Sequence, residues 1–329
     1  MDIRGISHHV DHLTEERAAA DMRAIRAELH CTAVMPIGSD LARLRAASEA
    51  ALAAGLEVWV RPRCANRPAA EHMEHLAAAA AMAEELRAAH PGRVTLLVGT
   101  EFSLTAPGLL PGPGEFTRVQ VIRRPRLLRL FSRRMNRRLR TLLETSREVA
   151  REHFSGPLTY GAGPWEDVDW SGFDVAGVNL YRQGTDTEGY ARRLRELVAR
   201  LDRPLVVTEF GCGAYRGAEV RGAGSFFAVD WFADPPRLRR GIVRDESVQA
   251  RYLAELLELY RESGVRGAFV FTFSMPGFPH SPDPELDLDA AGFGVVRPSA
   301  DLSSWEPKQA FHAVAEHYAD AGDGDSLRA

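Results

Sequence analysis

Short, nearly uninterrupted apolar runs recur along this chain, with long amphipathic stretches between them. The runs are Ile3–Ser7, Thr32–Ile37, Glu57–Arg61, Val94–Val98, Leu158–Gly161, Val175–Leu180, Leu205–Thr208 and Ala268–Phe273. A strand without polar alternation is buried on both faces, which is the mark of a parallel sheet covered by helices. The intervening stretches supply those helices. Glu15–Leu29 follows a candidate N-cap, Thr14, and Leu41–Ala54 is stopped by Gly55. Ala69–Ala89, a stretch from about Arg133 to His153, Tyr190–Leu201, Glu246–Ser263 and Glu306–Tyr318 complete the set. In Glu246–Ser263, Tyr252, Leu253, Leu256, Leu257 and Tyr260 fall on one stripe at helical spacing. Eight strands, most of them followed by a helix, in 329 residues predict an α/β chain folded as a single (β/α)8 TIM barrel. Extended loops are expected after strands 4, 7 and 8. An open doubly wound sheet would need a glycine-rich phosphate turn after its first strand, and IRGISHHVDH has none. The barrel is expected over residues 1–318, with a small acidic tail, 319–329, expected to be disordered.

Composition narrows the function. With 45% hydrophobic and 26% charged residues the chain is no disordered polymer, and a net charge of −4 does not make it a bulk-charge nucleic-acid binder. Three cysteines make neither a disulfide framework nor a zinc site. The N-terminus carries no signal-peptide pattern, and no apolar run reaches the ~18 residues of a membrane span. The expectation is a soluble cytoplasmic protein with no membrane partner. Nothing in the pattern fixes an oligomeric state.

A barrel of this kind works at the C-terminal ends of its strands. The residues there are His8, His9, Asp11 and His12 after strand 1, Arg61 and Arg63 after strand 3, and Glu101 after strand 4. Trp165 follows strand 5, Asn179 and Tyr181 end strand 6, Glu209 follows strand 7 and Phe273 ends strand 8. Glu101 and Glu209 stand out because each closes an apolar strand in the same phrase, TEF. A carboxylate at such a position is costly to bury unless it is paired or used. Strands 4 and 7 face each other across a barrel mouth, so the two acids can converge on one bond, as the carboxyl pair of a retaining glycosidase must.

Other features carry weaker signals. The His-His-x-x-His cluster lacks partners on strands 5 and 6 to complete a metal shell, so no metal is expected. Arg61 and Arg63 read either as ion-pair partners or as groups that orient the nucleophile or grip an anion. Trp165 and Tyr215 are candidate stacking faces for a sugar ring. Cys212 has no base partner in sequence and reads as a small packed residue. Ten arginines lie between Arg118 and Arg140 with leucines interleaved. They read as a helix whose arginines are solvated or paired with Glu144 and Glu148, or as a lid, a nucleic-acid patch or a partner surface.

With these residues in place, the sequence resembles the clan of (β/α)8 glycoside hydrolases that carries its acid/base glutamate on strand 4 and its nucleophile on strand 7. VTEFG around Glu209 is the most specific phrase; GVNLYR and TYGAGPWEDVDW support it, and the spacing is 209 − 101 = 108 residues. TEFGCGAYRGA and WEPKQAF look closer still to an uncharacterised actinobacterial barrel family often labelled abortive infection protein. The clan resemblance implies Glu101 as acid/base, Glu209 as nucleophile and Tyr181 beside the nucleophile. The strand-end reading itself places Asn179, Thr100, Trp165, Arg61, Arg63, Tyr215 and Phe273 around a carbohydrate or other small-molecule substrate, and no cofactor is expected. Two departures qualify the resemblance. The clan carries asparagine before its acid/base, where it bonds the sugar 2-hydroxyl, and this chain has Thr100. The clan commonly ends strand 8 in tryptophan, and this chain has Phe271 and Phe273. Two alternatives follow: a non-hydrolytic biosynthetic enzyme (isomerase, cyclase or lyase) using the same carboxyl pair, or a defence or binding protein acting through the arginine-rich segment.

Overall fold

The structure, a computed structural model, describes residues 1–325. Eight parallel strands close into a barrel: β1 (Ile3–His9), β2 (Ala33–Gly38), β3 (Glu57–Pro62), β4 (Val94–Thr100), β5 (Leu158–Ala162), β6 (Ala176–Asn179), β7 (Leu205–Phe210) and β8 (Gly267–Val270). Each pairs with its sequence neighbour, and β8 returns to β1 with Ile3 beside Gly267 and Ile6 beside Val270. The helices of eight residues or more are α1 (Glu15–Ala27), α2 (Leu41–Ala53), α3 (Ala69–Ala89), α4 (Glu115–Ile122), α5 (Pro125–His153), α6 (Thr187–Arg200), α7 (Glu246–Glu262) and α8 (Gln309–Asp325). The (β/α)8 expectation is met, with one irregularity: β5 and β6 are joined by a loop with no helix.

Local chemistry sets the element ends. Thr14 caps α1 by accepting from the Arg17 N–H, and Asp40 caps α2 by accepting from the Ala42 and Arg43 N–H groups. Gly55 adopts φ +88° just past α2, where a side chain would be strained. The apolar stripe of α7 is buried throughout.

The barrel interior is filled by Ile3, Ala33, Met35, Ile37, Trp59, Leu97, Val206 and Phe269. Gly5 makes room for the largest of these contacts, since a Cβ there would stand 2.4 Å from the Phe269 ring. This plug makes the floor of the barrel a packed core and leaves the C-terminal mouth as the place for a site.

Most boundaries shift by one to three residues from the sequence expectation, and the shifts that bear on the site or run longest are these. The connection after β4 is helical much earlier than expected: α4 forms within the stretch read as loop, and α5 starts at Pro125, not near Arg133. Proline at the first helical position lacks only an N–H that has no intrahelical partner anyway. β7 extends through Phe210, so Glu209 sits inside the strand. β8 ends at Val270, three residues before the expected Phe273. α8 continues to Asp325, past Ala319, and residues 326–329 of the expected tail lie outside the described residues.

Candidate active site

β4 delivers Glu101 through an abrupt change of backbone. Glu101 takes the left-handed conformation, φ +39° and ψ 55°, which costs a non-glycine residue about 1–3 kcal/mol. Its N–H is held by the Gly161 carbonyl at 2.8 Å, and the Thr105 hydroxyl donates to the Thr100 carbonyl at 2.9 Å. The turn aims the carboxyl into the mouth, where the Asn179 amide donates to its Oε1 at 2.9 Å.

β7 delivers Glu209 beside Asn179 in the ladder. Its two oxygens have separate anchors. Arg61 places Nη1 2.5 Å from Oε1, and the Tyr181 hydroxyl donates to Oε2 at 2.8 Å. Arg61 and Glu209 are 8% and 7% exposed, so this ion pair works largely out of water. Asn179 is fixed by its neighbours. The Thr208 hydroxyl donates to its Oδ1 at 2.7 Å, and its amide also lies 3.4 Å from the Thr100 hydroxyl oxygen. Thr100 in turn donates to the Gly161 carbonyl at 3.1 Å.

A third acid, Glu166, was not singled out in the sequence. The helix-free β5–β6 loop folds it against the turn that follows Glu101. There it accepts from the Ser103 N–H at 2.9 Å, the Tyr160 hydroxyl at 2.9 Å and the Gly163 N–H at 3.0 Å. The same loop brings Trp165 to the cleft wall, its indole N–H donating to the Ser103 hydroxyl at 2.8 Å.

These surroundings split the two acids. Burial, the Glu209 charge and the Glu166 charge push the Glu101 carboxyl up to about 8, against opposing help from Asn179 and Arg61. Glu101 is therefore a protonated acid at neutral pH. Burial also raises Glu166. Tyr181 is pushed well above the usual phenol range, first by burial and then by the adjacent Glu209, so it stays an O–H donor. His9 is lowered to about 3 by burial and by Arg61, so it stands in the cleft wall as a neutral ring.

Glu101, Glu209, Tyr181, Asn179, Thr100, Trp165, Arg61 and Arg63 all line one cleft of about 820 Å³. Arg63 lies at the rim and is paired with Glu115 at 2.9 Å, away from the carboxyl pair. Two expected substrate contacts are corrected. Tyr215 is fully buried, with its hydroxyl on the Ser225 carbonyl at 3.1 Å, and serves to pack the β7–β8 connection. Phe273 is also fully buried, edge-on to His8 at 4.9 Å and Trp305 at 5.4 Å. Because β8 stops at Val270, it is Phe271 that reaches the cleft.

The histidine cluster disperses. His8 is buried with Nε2 2.9 Å from Asp21, while Asp11 accepts from the Ser39 and Asp40 N–H groups. Among the described residues no group of three or more His, Cys, Asp or Glu side chains is arranged to hold a metal. Burial pushes the Cys212 thiol up, as suits a packed residue. In the basic segment Arg118 is buried and donates to the Leu104 and Gly112 carbonyls. The other nine arginines are exposed, and among the described residues none is within 4.0 Å of a carboxylate, so of the two forms expected, solvated or paired with Glu144 and Glu148, the solvated one is found. No helix among the described residues is long and apolar enough to cross a membrane.

No protein-family profile and no curated protein matches the chain. Solved structures do. A GH113 β-1,4-mannanase shares the fold with a TM-score of 0.64 at 15% identity, over 97% of this chain and 99% of the other. A GH113 β-mannanase from Alicyclobacillus acidocaldarius, in complex with ManMIm, gives 0.60 at 15% identity over 97% of each chain. A Bacteroides uniformis β-glucuronidase gives 0.60 at 18% identity, covering 97% of this chain and 35% of that one. The chain thus has the barrel fold of glycoside hydrolases, as the clan resemblance implied. The likeness to the family labelled abortive infection protein rests on the two sequence phrases alone.

Proposed function

We propose that the chain is a retaining glycoside hydrolase in which Glu101 is the general acid/base and Glu209 the nucleophile. The observation that carries this is the division of partners in the cleft: among the described residues the Glu101 carboxyl meets only the Asn179 amide, and burial and its acidic neighbours' charges favour its protonated form, while Glu209 is bound by a guanidinium and a phenol. In the first step a Glu209 oxygen attacks the anomeric carbon and the glycosidic C–O bond breaks. The Glu101 proton passes to the leaving oxygen. The covalent ester removes the Glu209 charge, one of the causes that raised Glu101. Glu101 then accepts a proton from the water that attacks the anomeric carbon, and Glu209 leaves as a carboxylate. Arg61 and Tyr181 position Glu209, and Asn179 does the same for Glu101. The substrate is a carbohydrate on this reading, and no step calls for a cofactor.

Glu209→Ala is expected to lower turnover of an activated aryl glycoside by at least about a thousand-fold with folding intact. Added azide, a small nucleophile for the vacated space, should restore part of the rate and give a glycosyl azide of inverted configuration. Full activity in this variant would remove Glu209 from the role.

One observation favours a second reading. The Thr100 hydroxyl is committed to the Gly161 carbonyl and the Asn179 amide to Glu101, where the resembled clan offers an asparagine to the sugar. A non-hydrolytic acid/base reaction on a small biosynthetic intermediate would use the same carboxyl pair. A broad glycoside panel without hydrolysis, together with loss of a pathway product in Glu101→Gln, would favour it.

A further inference from the structure

The cleft has two zones of opposite character. Its inner end holds Glu101, Glu209, Asn179, Tyr181, Arg61 and His9. Its outer collar is built by two connections that meet across the mouth. α4 contributes Phe116, Val119 and Ile122, and the β7–β8 connection contributes Phe226 and Phe227. The two sides touch: Phe116 meets Phe227 at 6.5 Å and Phe232 at 5.8 Å between ring centroids, and the Arg123 guanidinium lies 3.9 Å above the Phe227 ring. Phe116 and Phe232 remain 43% and 83% exposed.

Resting on the glycosidase reading of the inner end, we infer that the aglycone accepted by this cleft is a large apolar group and not a further sugar. A second sugar brings several hydroxyls into the collar, and each gives up water hydrogen bonds that the protein must replace. The outer cleft offers Gln183 and Arg221 for that purpose, but its other charged groups are engaged. Arg63 and Glu115 are spent on each other, and Arg123 is stacked on a ring. Phe116 meets its ring neighbours at steep angles, 59° and 78°, while Phe226 and Phe227 lean on each other at 33° and 4.2 Å, so the rings form one contiguous apolar cluster and not a row of separate parallel platforms for a sugar chain. An alkyl or polycyclic aglycone instead gains from leaving water, in proportion to the area it buries. Exposed rings around a cleft with no core role are themselves the signature of a binding surface.

The test uses non-hydrolysable thioglycosides of mannose, glucose, galactose and glucuronic acid, each with a methyl or an octyl aglycone. Titration calorimetry is done below the octyl compounds' micelle-forming concentration. For the sugar that binds, the octyl compound is expected to bind at least about 30-fold tighter than the methyl one. Phe116→Ser, at an already half-exposed position, and the double variant Phe116→Ser/Phe227→Ser should cut that ratio to below about threefold. The single variant keeps the test decisive if the double one fails to fold. Equal affinity for octyl and methyl compounds, tighter binding of a thio-linked disaccharide, or no binding of any compound overturns the inference. Hydrolysis of the corresponding methyl and octyl O-glycosides, followed in parallel, speaks to the carboxyl pair. An octyl preference without hydrolysis of any glycoside leaves the collar standing and the glycosidase reading fallen; hydrolysis without an octyl preference does the reverse.

Discussion

The cleft and the arginine-rich helix handle charge in opposite ways. At the inner end of the cleft and just behind it the carboxyl groups have named partners: Arg61 and Tyr181 on Glu209, Asn179 on Glu101, and three donors on Glu166. Along the segment from Arg123 to Arg140, nine exposed arginines have no carboxylate partner among the described residues. Water explains the contrast. An exposed guanidinium is solvated, and a surface ion pair would add little, about 0–1 kcal/mol. A carboxylate removed from water must be met by charge or hydrogen bonds, or else keep its proton. The cleft uses both solutions side by side, and that difference is what gives it acid and nucleophile from the same residue type.

The contrast can be sharpened in descending order of effect. Glu101→Gln should cost at least about a hundredfold in kcat/KM on a glycoside with a poor leaving group, and much less on an activated aryl glycoside, because only the former needs the proton. In the wild type the basic limb of kcat/KM against pH should fall near 8, where Glu101 loses that proton, and it should vanish in the variant.

Arg61→Gln comes next. It leaves Glu209 buried without its cation, so denaturant unfolding is expected to show a loss of about 3 kcal/mol alongside reduced turnover. Unchanged stability would mean that water already reaches the pair.

The pH dependence of stability is subtler. In the folded chain Glu101 holds its proton up to about 8, whereas an ordinary carboxyl loses it near 4.5. Between those values the folded state binds more protons than the unfolded one, so stability falls as pH rises. Glu101→Gln should flatten the slope, and the raised Glu166 should leave a remainder. The smallest effect belongs to the helix: Arg129→Gln, Arg133→Gln and Arg134→Gln should each shift stability by no more than about 0.5 kcal/mol.

Much of this was legible before folding. Eight apolar runs fix the barrel because parallel strands buried on both faces leave no polar alternation. Glu101, Glu209, Arg61, Asn179 and Tyr181 were legible for a related reason, as polar groups where apolar strands end. What stayed hidden depended on loops and on where strands stop. Glu166 looks like any loop acid until the β5–β6 connection folds it against Ser103 and Tyr160. The exchange of Phe273 for Phe271 follows from β8 ending at Val270, a stop that the run AFVFTF, with Thr272 as its one polar residue, does not mark. Tyr215 was misplaced because a long connection shows no sign of which side chains it buries. Pro125, by contrast, was an available helix-start signal.

The most direct test of the central claim is a covalent one. Incubation with activated 2-deoxy-2-fluoro glycosides of the four sugars named above, followed by intact-mass measurement and peptide mapping, should show one added fluoroglycosyl group. The label should lie on Glu209, in the peptide that contains VVTEFG. A label on Glu101, or turnover of a glycoside with inverted configuration at the anomeric carbon and no label anywhere, would contradict it.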